Sequence, residues 1–348
     1  MVAITYNLDG TSTATDALGN SIVYTYDARG TMINQVDATG STTDKSYLSN
    51  FRPFRVTDAV GETTDLSWSE DGANLTRIVD AEGNLTKISY DTLNNPVSIV
   101  DSLGYLTTYE YDGTLLSSAT DALGAETGYT YTEEGYLTSV TDSLGNTTSY
   151  TYDSYGQATS RVDPLGNEWL YSYDELGRLI NTTDPLGNVT HNEYDAARRL
   201  IRTVNNYDPN RPQNDENLWN IVTGYEYDSR GNQVSVTDTY GNTTAYEYDL
   251  SGRLVSTTDA DGNVSTNTYD DAGNLIATTN ALGYTTQYVY DDAGRIVSII
   301  DPSGNSNQTV YNPDGTVAST IDALGNETVY QYDALKRVTG VVKPDGST

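Results

Sequence analysis

The chain contains no cysteine and only one histidine, His191, among 348 residues. Without thiols there can be neither disulfides nor thiolate metal sites, so the cellular compartment has to be read from other features. A Ser/His/Asp or Cys/His nucleophile system could be built only on His191, and no serine motif lies near it; His191 reads as an ordinary strand residue. Cations are scarce as well. Eighteen Lys and Arg stand against 49 Asp and Glu, a formal net charge of −31. Such a surface repels phosphate backbones and anionic membranes, which excludes nucleic acid and anionic bilayers as partners.

No apolar run approaches the roughly 18 to 20 residues that a membrane helix requires, so membrane insertion is not expected. Met1 is followed at once by repeat sequence, and any secretion signal is expected to lie outside this stretch. Two Phe, two Met and three Trp are too few to fill a dry core, whereas there are 30 Tyr. Tyrosine favours places where one end of the ring stays wet.

Two signals alternate along the chain with a period of about 21 residues. One is Tyr-Asp-x-x-Gly, clearest at 26–30, 173–177, 227–231, 248–252, 269–273 and 290–294. The other is Asp-x-x-Gly-Asn, as at 16–20, 142–146, 163–167, 184–188, 238–242, 259–263 and 322–326. The Tyr of the first signal sets a register of sixteen marks: Tyr6, Tyr26, Tyr47, Trp68, Tyr90, Tyr111, Tyr131, Tyr152, Tyr173, Tyr194, Tyr227, Tyr248, Tyr269, Tyr290, Tyr311 and Tyr332. One interval, from Tyr194 to Tyr227, is about twelve residues too long. The excess is a polar, Pro-containing insertion at about 207–219, ending at Trp219, and it is expected to project from the sheet.

Between the signals lie short runs of Thr, Val, Ile, Tyr and Ser with no helical spacing, so each unit reads as two strands. Asp at the first turn position, Pro at the second and Gly at the fourth are turn chemistry, complete in Asp163-Pro164-Leu165-Gly166 and Asp184-Pro185-Leu186-Gly187. Alternation places both rings of each Tyr-x-Tyr on one face, together with the aliphatic residue two after the turn Gly. The fold class that follows is all-β: tandem antiparallel β-hairpin repeats of about 21 residues, forming one array of about 16 units over residues 1–348. About thirty-two strands at roughly 4.8 Å would extend on the order of 150 Å, and the natural twist would coil them into a spiral shell or hollow β-tube.

The paired Tyr-Asp-x-x-Gly-Arg-Leu and Asp-Pro-Leu-Gly-Asn signals, best seen across Tyr173 to Asn188, resemble the YD repeat, also called the Rhs repeat. That family includes Rhs polymorphic toxins, wall-associated proteins, cocoon components of insecticidal toxin complexes, and teneurins. The resemblance implies a β-sheet spiralling into a hollow shell, which in the toxins encloses a C-terminal effector. It also implies a closing core segment with a DPxGLxGG-like signature and autoproteolytic carboxylates. Here repeats run instead to Pro344-Asp345-Gly346, so neither self-cleavage nor a toxic activity attaches to these residues, and the chain reads as a piece of a longer protein.

The chemistry that remains is sparse. Carboxylates recur at turn positions in every unit, which favours backbone capping over acid/base pairs. Clustered Asp and Asn oxygens suit calcium, but the spacing matches neither an EF-hand nor a nonapeptide β-roll. Neither an enzyme nor a cofactor is expected, and no catalytic, cofactor or metal residue is assigned. The expected function is a non-catalytic structural segment of a secreted or cell-surface protein, forming the wall of a shell that encloses or displays another domain. The alternatives are an extracellular adhesive or filament-forming array and a carbohydrate-binding module stacking sugars on Tyr. The expected partners are the enclosed or attached domain, neighbouring copies through strand edges, and a glycan.

Overall fold

The computed structural model describes residues 2–17, 19–213 and 218–348. Leu18 of the Asp16 to Asn20 turn and residues 214–217 of the insertion lie outside the described residues. Thirty-two strands, from Ala3–Tyr6 to Val338–Val342, and no helix occur among the described residues. Fifteen of the sixteen register marks end a strand, and Tyr111 is next to last in Leu106–Asp112. The chain divides into two compact units, residues 1–105 with 266–348, and residues 106–265.

Within each unit strands pair antiparallel with their neighbours in sequence. In the second unit Glu126–Tyr131 pairs with Leu137–Thr141, which pairs with Thr147–Tyr152, and so on. The two turn signals therefore fall on opposite sides of the sheet, giving an Asp-x-x-Gly-Asn row and a Tyr-Asp row of hairpin ends. In the first unit the two rows meet. Hairpin ends 37–41, 58–62 and 80–84 of the first row contact 312–316 and 333–337 of the second. The Ser41 hydroxyl donates to the Pro313 carbonyl, Arg337 Nη2 donates to both Glu82 carboxylate oxygens at 2.6 and 2.7 Å, and Lys336 Nζ lies 3.7 Å from Asp58.

The turns explain the composition. In Asp163 to Asn167 the Asp163 carbonyl accepts from Gly166 N–H and the Asp163 N–H donates to the Asn167 carbonyl, both at 2.9 Å. Gly166 has φ +83°, the left-handed conformation that closes such a hairpin. Asp163 Oδ1 also accepts from the N–H groups of Leu165 and Asn167, and Oδ2 accepts from the Asn167 amide at 2.8 Å. One carboxylate thus satisfies two main-chain donors of the loop and fixes the residue after Gly. In several Tyr-Asp turns Arg takes the place of Asn: Asp174 accepts from Leu176 N–H, Arg178 N–H and Arg178 Nε.

A second regularity has no simple sequence signal. All the Tyr-Asp hairpins except the first carry a register shift just before the marker aromatic. Thr130 pairs with Ser139, yet Tyr131 pairs with Leu137, so Thr138 is an extra residue. The same shift sets Tyr152 opposite Ala158 and Tyr173 opposite Leu179, whereas Ala3–Tyr6 pairs with Thr11–Thr15 without interruption. The pairings across the Asp-x-x-Gly-Asn row in the second unit, such as Ser139 to Thr141 with Thr147 to Ser149, show none. A bulge increases local twist and flips the strand beyond it. Simple alternation therefore fails on the second strand of each unit: Leu137 and Val140, three apart, face the same side as Tyr131 and Tyr129. The extra residue is held by hydroxyls, as where Thr151 Oγ1 meets Thr159 Oγ1 at 2.8 Å and Ser160 Oγ at 2.7 Å.

No deep core forms. Val204, 2% exposed, is the one buried apolar side chain among the described residues; the buried polar side chains there are those of five serines and Asn220.

Two predictions follow from the turns. Hydrogen bonds from Asn167 to Asp163 and from Arg178 to Asp174 hold both carboxyls below the ordinary value of 3.8. A carboxylate with a depressed folded pKa contributes stability that is complete above its unfolded pKa and is lost as pH falls through the folded one. Repulsion fades as pH approaches the isoelectric point near 4.1. The melting temperature should therefore rise slightly towards pH 4 and drop steeply below 3.8, as thermal scans from pH 7 to 2.5 would show. In four Tyr-Asp turns a residue other than Gly occupies the left-handed position, among them Arg198 at φ +67°. The conformation costs a residue with a Cβ roughly 1 to 2 kcal/mol, and part of the gain on removing it is lost to a more flexible unfolded chain. Arg198→Gly should raise stability by about 0.5 to 1 kcal/mol in denaturant titration.

Candidate functional site: the aromatic relay and the inserted loop

The marker aromatics do more than stack. A ladder interrupted by an extra residue leaves main-chain groups without their usual cross-strand partners, and at that point the aromatic of the following unit donates a hydrogen bond to a carbonyl. Tyr152 Oη donates to Leu137 O at 2.7 Å, Tyr173 to Ala158 O at 2.9 Å, Tyr194 to Leu179 O at 2.8 Å and Tyr290 to Leu275 O at 2.9 Å. Each bond spans 15 residues. Trp68, the one marker that is not Tyr, makes the same bond from Nε1 to Pro53 O at 2.7 Å. Partial burial pushes the Tyr152 and Tyr173 hydroxyls above 10.0.

Arginine carries the relay onward. The Arg178 guanidinium, bonded to Asp174 of its own turn, lies 5.0 Å from the Tyr194 ring centre and donates to Asp195 O at 3.1 Å. Arg199 does the same with Tyr227 and Asp228 O, and Arg295 with Tyr311 and Asn312 O. Arg52 over Trp68 and Arg29 over Phe51 are variants. Guanidinium over an aromatic face contributes about 0.5 to 1 kcal/mol where exposed. Turn carboxylate, arginine, next aromatic and preceding carbonyl thus form a chain that links a hairpin to its neighbours at Arg178, Arg199 and Arg295.

The insertion leaves this relay intact. Tyr227 reaches Leu200 O at 2.8 Å over 27 residues, and Arg199 reaches Asp228 O over 29, each twelve more than the ordinary separation. Register is preserved, with Arg202 opposite Gly224 and Asn205 opposite Ile221. The expectation that 207–219 projects from the sheet is corrected at its first half. Tyr207 N–H donates to Val189 O at 2.8 Å and its ring stacks on His191, centroids 4.4 Å apart at 18°. An apolar ring beside a half-buried imidazole gains by lying flat on it.

Asn220 latches the loop. Buried at 4% exposure, it accepts from Asp208 N–H and donates to the carbonyls of Asp208, Arg211 and Pro212. Trp219 is half-buried under Arg211, 4.5 Å from its ring centre. His191 sits on the strand Val189–Tyr194 as expected and bonds Asn181 Oδ1 through Nδ1 at 2.8 Å. Tyr207 and Pro209 overhang a shallow cleft of about 460 Å³ floored by Leu170, Ser172, Asn181 and Val189. No group of three or more His, Cys, Asp or Glu suited to a metal occurs among the described residues.

The family model for the RHS repeat matches residues 113–147, 133–168, 152–189, 173–207, 227–264, 269–306 and 311–348, well over half of the chain. The chain belongs to the RHS repeat family. The matched segments contain the paired turn signals on which the resemblance rested. No curated protein matches the chain. Among solved structures it is similar to TcdB2-TccC3, with a TM-score of 0.73 at 16% identity over 98% of this chain and 23% of that one. It is also similar to the Photorhabdus luminescens Tc holotoxin pore, with a TM-score of 0.65 at 16% identity over 98% of this chain and 22% of that one. This RHS array thus spans less than a quarter of the chains it matches, and at this identity the likeness is one of fold.

Sequence reading found the turn Asp, the aromatic marks and the insertion of this RHS array. It missed the arginines, although their signal was present in Tyr-Asp-x-x-Gly-Arg, and it missed Tyr207 and Asn220, which recur nowhere. Tyr152→Phe removes one hydroxyl donor while leaving the ring, and should cost about 0.5 to 1.5 kcal/mol. Denaturant titration beside Tyr150→Phe, whose ring lies on the same face, would show whether the loss belongs to the marker position.

Proposed function

We propose that this chain is a non-catalytic wall segment of a secreted or cell-surface RHS protein, part of a shell that encloses or displays another domain of its parent. The observation that carries the reading is the relay: the carboxylates, arginines and tyrosine hydroxyls that recur along the array are engaged in capping their own turns and in joining one hairpin to the next. The fold shared with TcdB2-TccC3 and with the Tc holotoxin pore supports a shell. The aromatic face would line the interior and the Thr- and Ser-rich face the outside, with the −31 charge keeping the particle dispersed.

A second reading is favoured by one feature. The cleft under Tyr207 and Pro209 pairs an aromatic edge with Asn181 and Ser172, a combination suited to a sugar ring, so a glycan contact there is the alternative to a wholly passive wall.

Enclosure is testable in the intact parent protein by tyrosine iodination with a bulky peroxidase and with a small diffusible reagent. The small reagent should label Tyr150, Tyr171 and Tyr246 and the enzyme should not. Equal labelling by both would place the aromatic face in the open and turn the reading towards an adhesive array.

A further inference from the structure

The first unit is built from two stretches far apart in sequence, 1–105 and 266–348, whose rows of turns meet along one seam. Within each stretch the strands are held by main-chain ladders, such as Arg77 to Val79 with Leu85 to Lys87. Across the seam the contacts described depend on side chains: the Ser41 hydroxyl on the Pro313 carbonyl, Arg337 on Glu82, and Lys336 beside Asp58. Apolar contact adds little. Val60 stays 53% exposed there, lining a cleft of about 330 Å³ together with Pro313, Tyr330 and Ala334.

The charges of the two rows decide what holds them together. Hairpin ends 37–41, 58–62 and 80–84 carry Asp37, Asp58, Glu62, Asp80 and Glu82 and no cation, whereas ends 312–316 and 333–337 balance Asp314 and Asp333 with Lys336 and Arg337. An acidic edge facing a neutral one feels little long-range force, so the electrostatic cohesion falls on the two contact pairs. Both are wet, with the Arg337 side chain 63% exposed and that of Lys336 43%. Exposed pairs contribute little and are screened by salt. Release strands no charge either: Arg337 keeps Asp333 through Nε at 2.6 Å, Lys336 keeps the Asp314 carbonyl at 3.1 Å, and the freed carboxylates turn to water.

We propose that this seam is a latch, which parts reversibly while the hairpins on both sides stay folded, with the Arg337–Glu82 pair as its principal closure. The array then has a line of opening that breaks no main-chain ladder. This property belongs to the first unit itself and does not depend on whether the array encloses another domain.

The test uses the whole 348-residue chain, whose lack of cysteine allows nitroxide labels at Lys87→Cys and Gln331→Cys. Both are exposed strand positions a few residues from hairpin ends 80–84 and 333–337. Pulsed electron resonance should give a short, narrow label distance at about 20 mM NaCl and a longer, broader one at about 1 M, returning on dilution. Adding Glu82→Gln should bring the same opening at roughly threefold lower salt. Arg337→Glu should reverse the response. It leaves its row with three carboxylates against Lys336, so the rows repel and stand apart at low salt, and their separation should shrink as salt rises. Far-UV circular dichroism should stay constant throughout; where it shows that Arg337→Glu does not fold, Glu82→Gln carries the test. A wild-type distance unchanged up to about 1 M salt would overturn the proposal. So would opening that coincides with loss of the strand signal, a Glu82→Gln variant that follows the wild type, or a folded Arg337→Glu variant that stays closed at low salt.

Discussion

One extra residue in every Tyr-Asp hairpin but the first governs the rest of the array. The bulge breaks the antiparallel ladder immediately after the turn, at Leu137 opposite Tyr131 and at Ala158 opposite Tyr152. An interrupted ladder at a half-buried position is costly unless another donor reaches it. The donor comes from the next unit, fifteen residues on, so a local irregularity in one hairpin is resolved only when its neighbour is folded. Each hairpin is then incomplete alone, and stability becomes a sum of nearest-neighbour terms, as in other quasi-one-dimensional repeats.

That dependence explains the aromatic composition. The marker position needs a flat ring for the arginine above it and a donor at the far end for the carbonyl beneath, and Tyr meets both needs while Phe meets one. Trp68 also meets both, through its indole N–H, and Pro53, which lacks an N–H, still supplies the accepting carbonyl. Half of the thirty Tyr stand at this marker position, and there the choice of Tyr over Phe is a consequence of the bulge rather than a sign of a ligand-binding face. The tyrosines are amphipathic struts, and the array needs no apolar core deeper than Val204.

The fold was legible because its punctuation repeats. Asp, Gly and the marker aromatic act through the few residues around them, and their spacing alone placed the strands and the two rows of turns. The bulge was not legible: nothing in Thr138 or Thr159 distinguishes an extra residue from a paired one, and its position depends on a tyrosine in the next unit. The loop was legible as an interruption, since the marker interval lengthens by twelve, but not as a structure. Its anchoring rests on Tyr207 finding His191 and Asn220 finding three carbonyls, contacts made once and set by three-dimensional closure. The lone histidine, which pattern alone left as an unremarkable strand residue, is the platform on which the insertion rests.

The acidity follows from the same architecture. Most hairpin ends begin with a carboxylate because one Asp oxygen accepts two loop N–H groups at once, as Asp163 and Asp184 do. On the Tyr-Asp row an arginine often answers that charge and also continues the relay. On the opposite row the answering residue is a neutral Asn, as at Asn167 and Asn188. Each repeat of this form therefore adds uncompensated negative charge along one side of the sheet and concentrates the arginines along the other. A long array must become strongly acidic, more so along one row of turns than along the other, whatever medium it works in. Where the two rows do meet in the first unit, it is such an arginine that bridges them, as Arg337 does with Glu82.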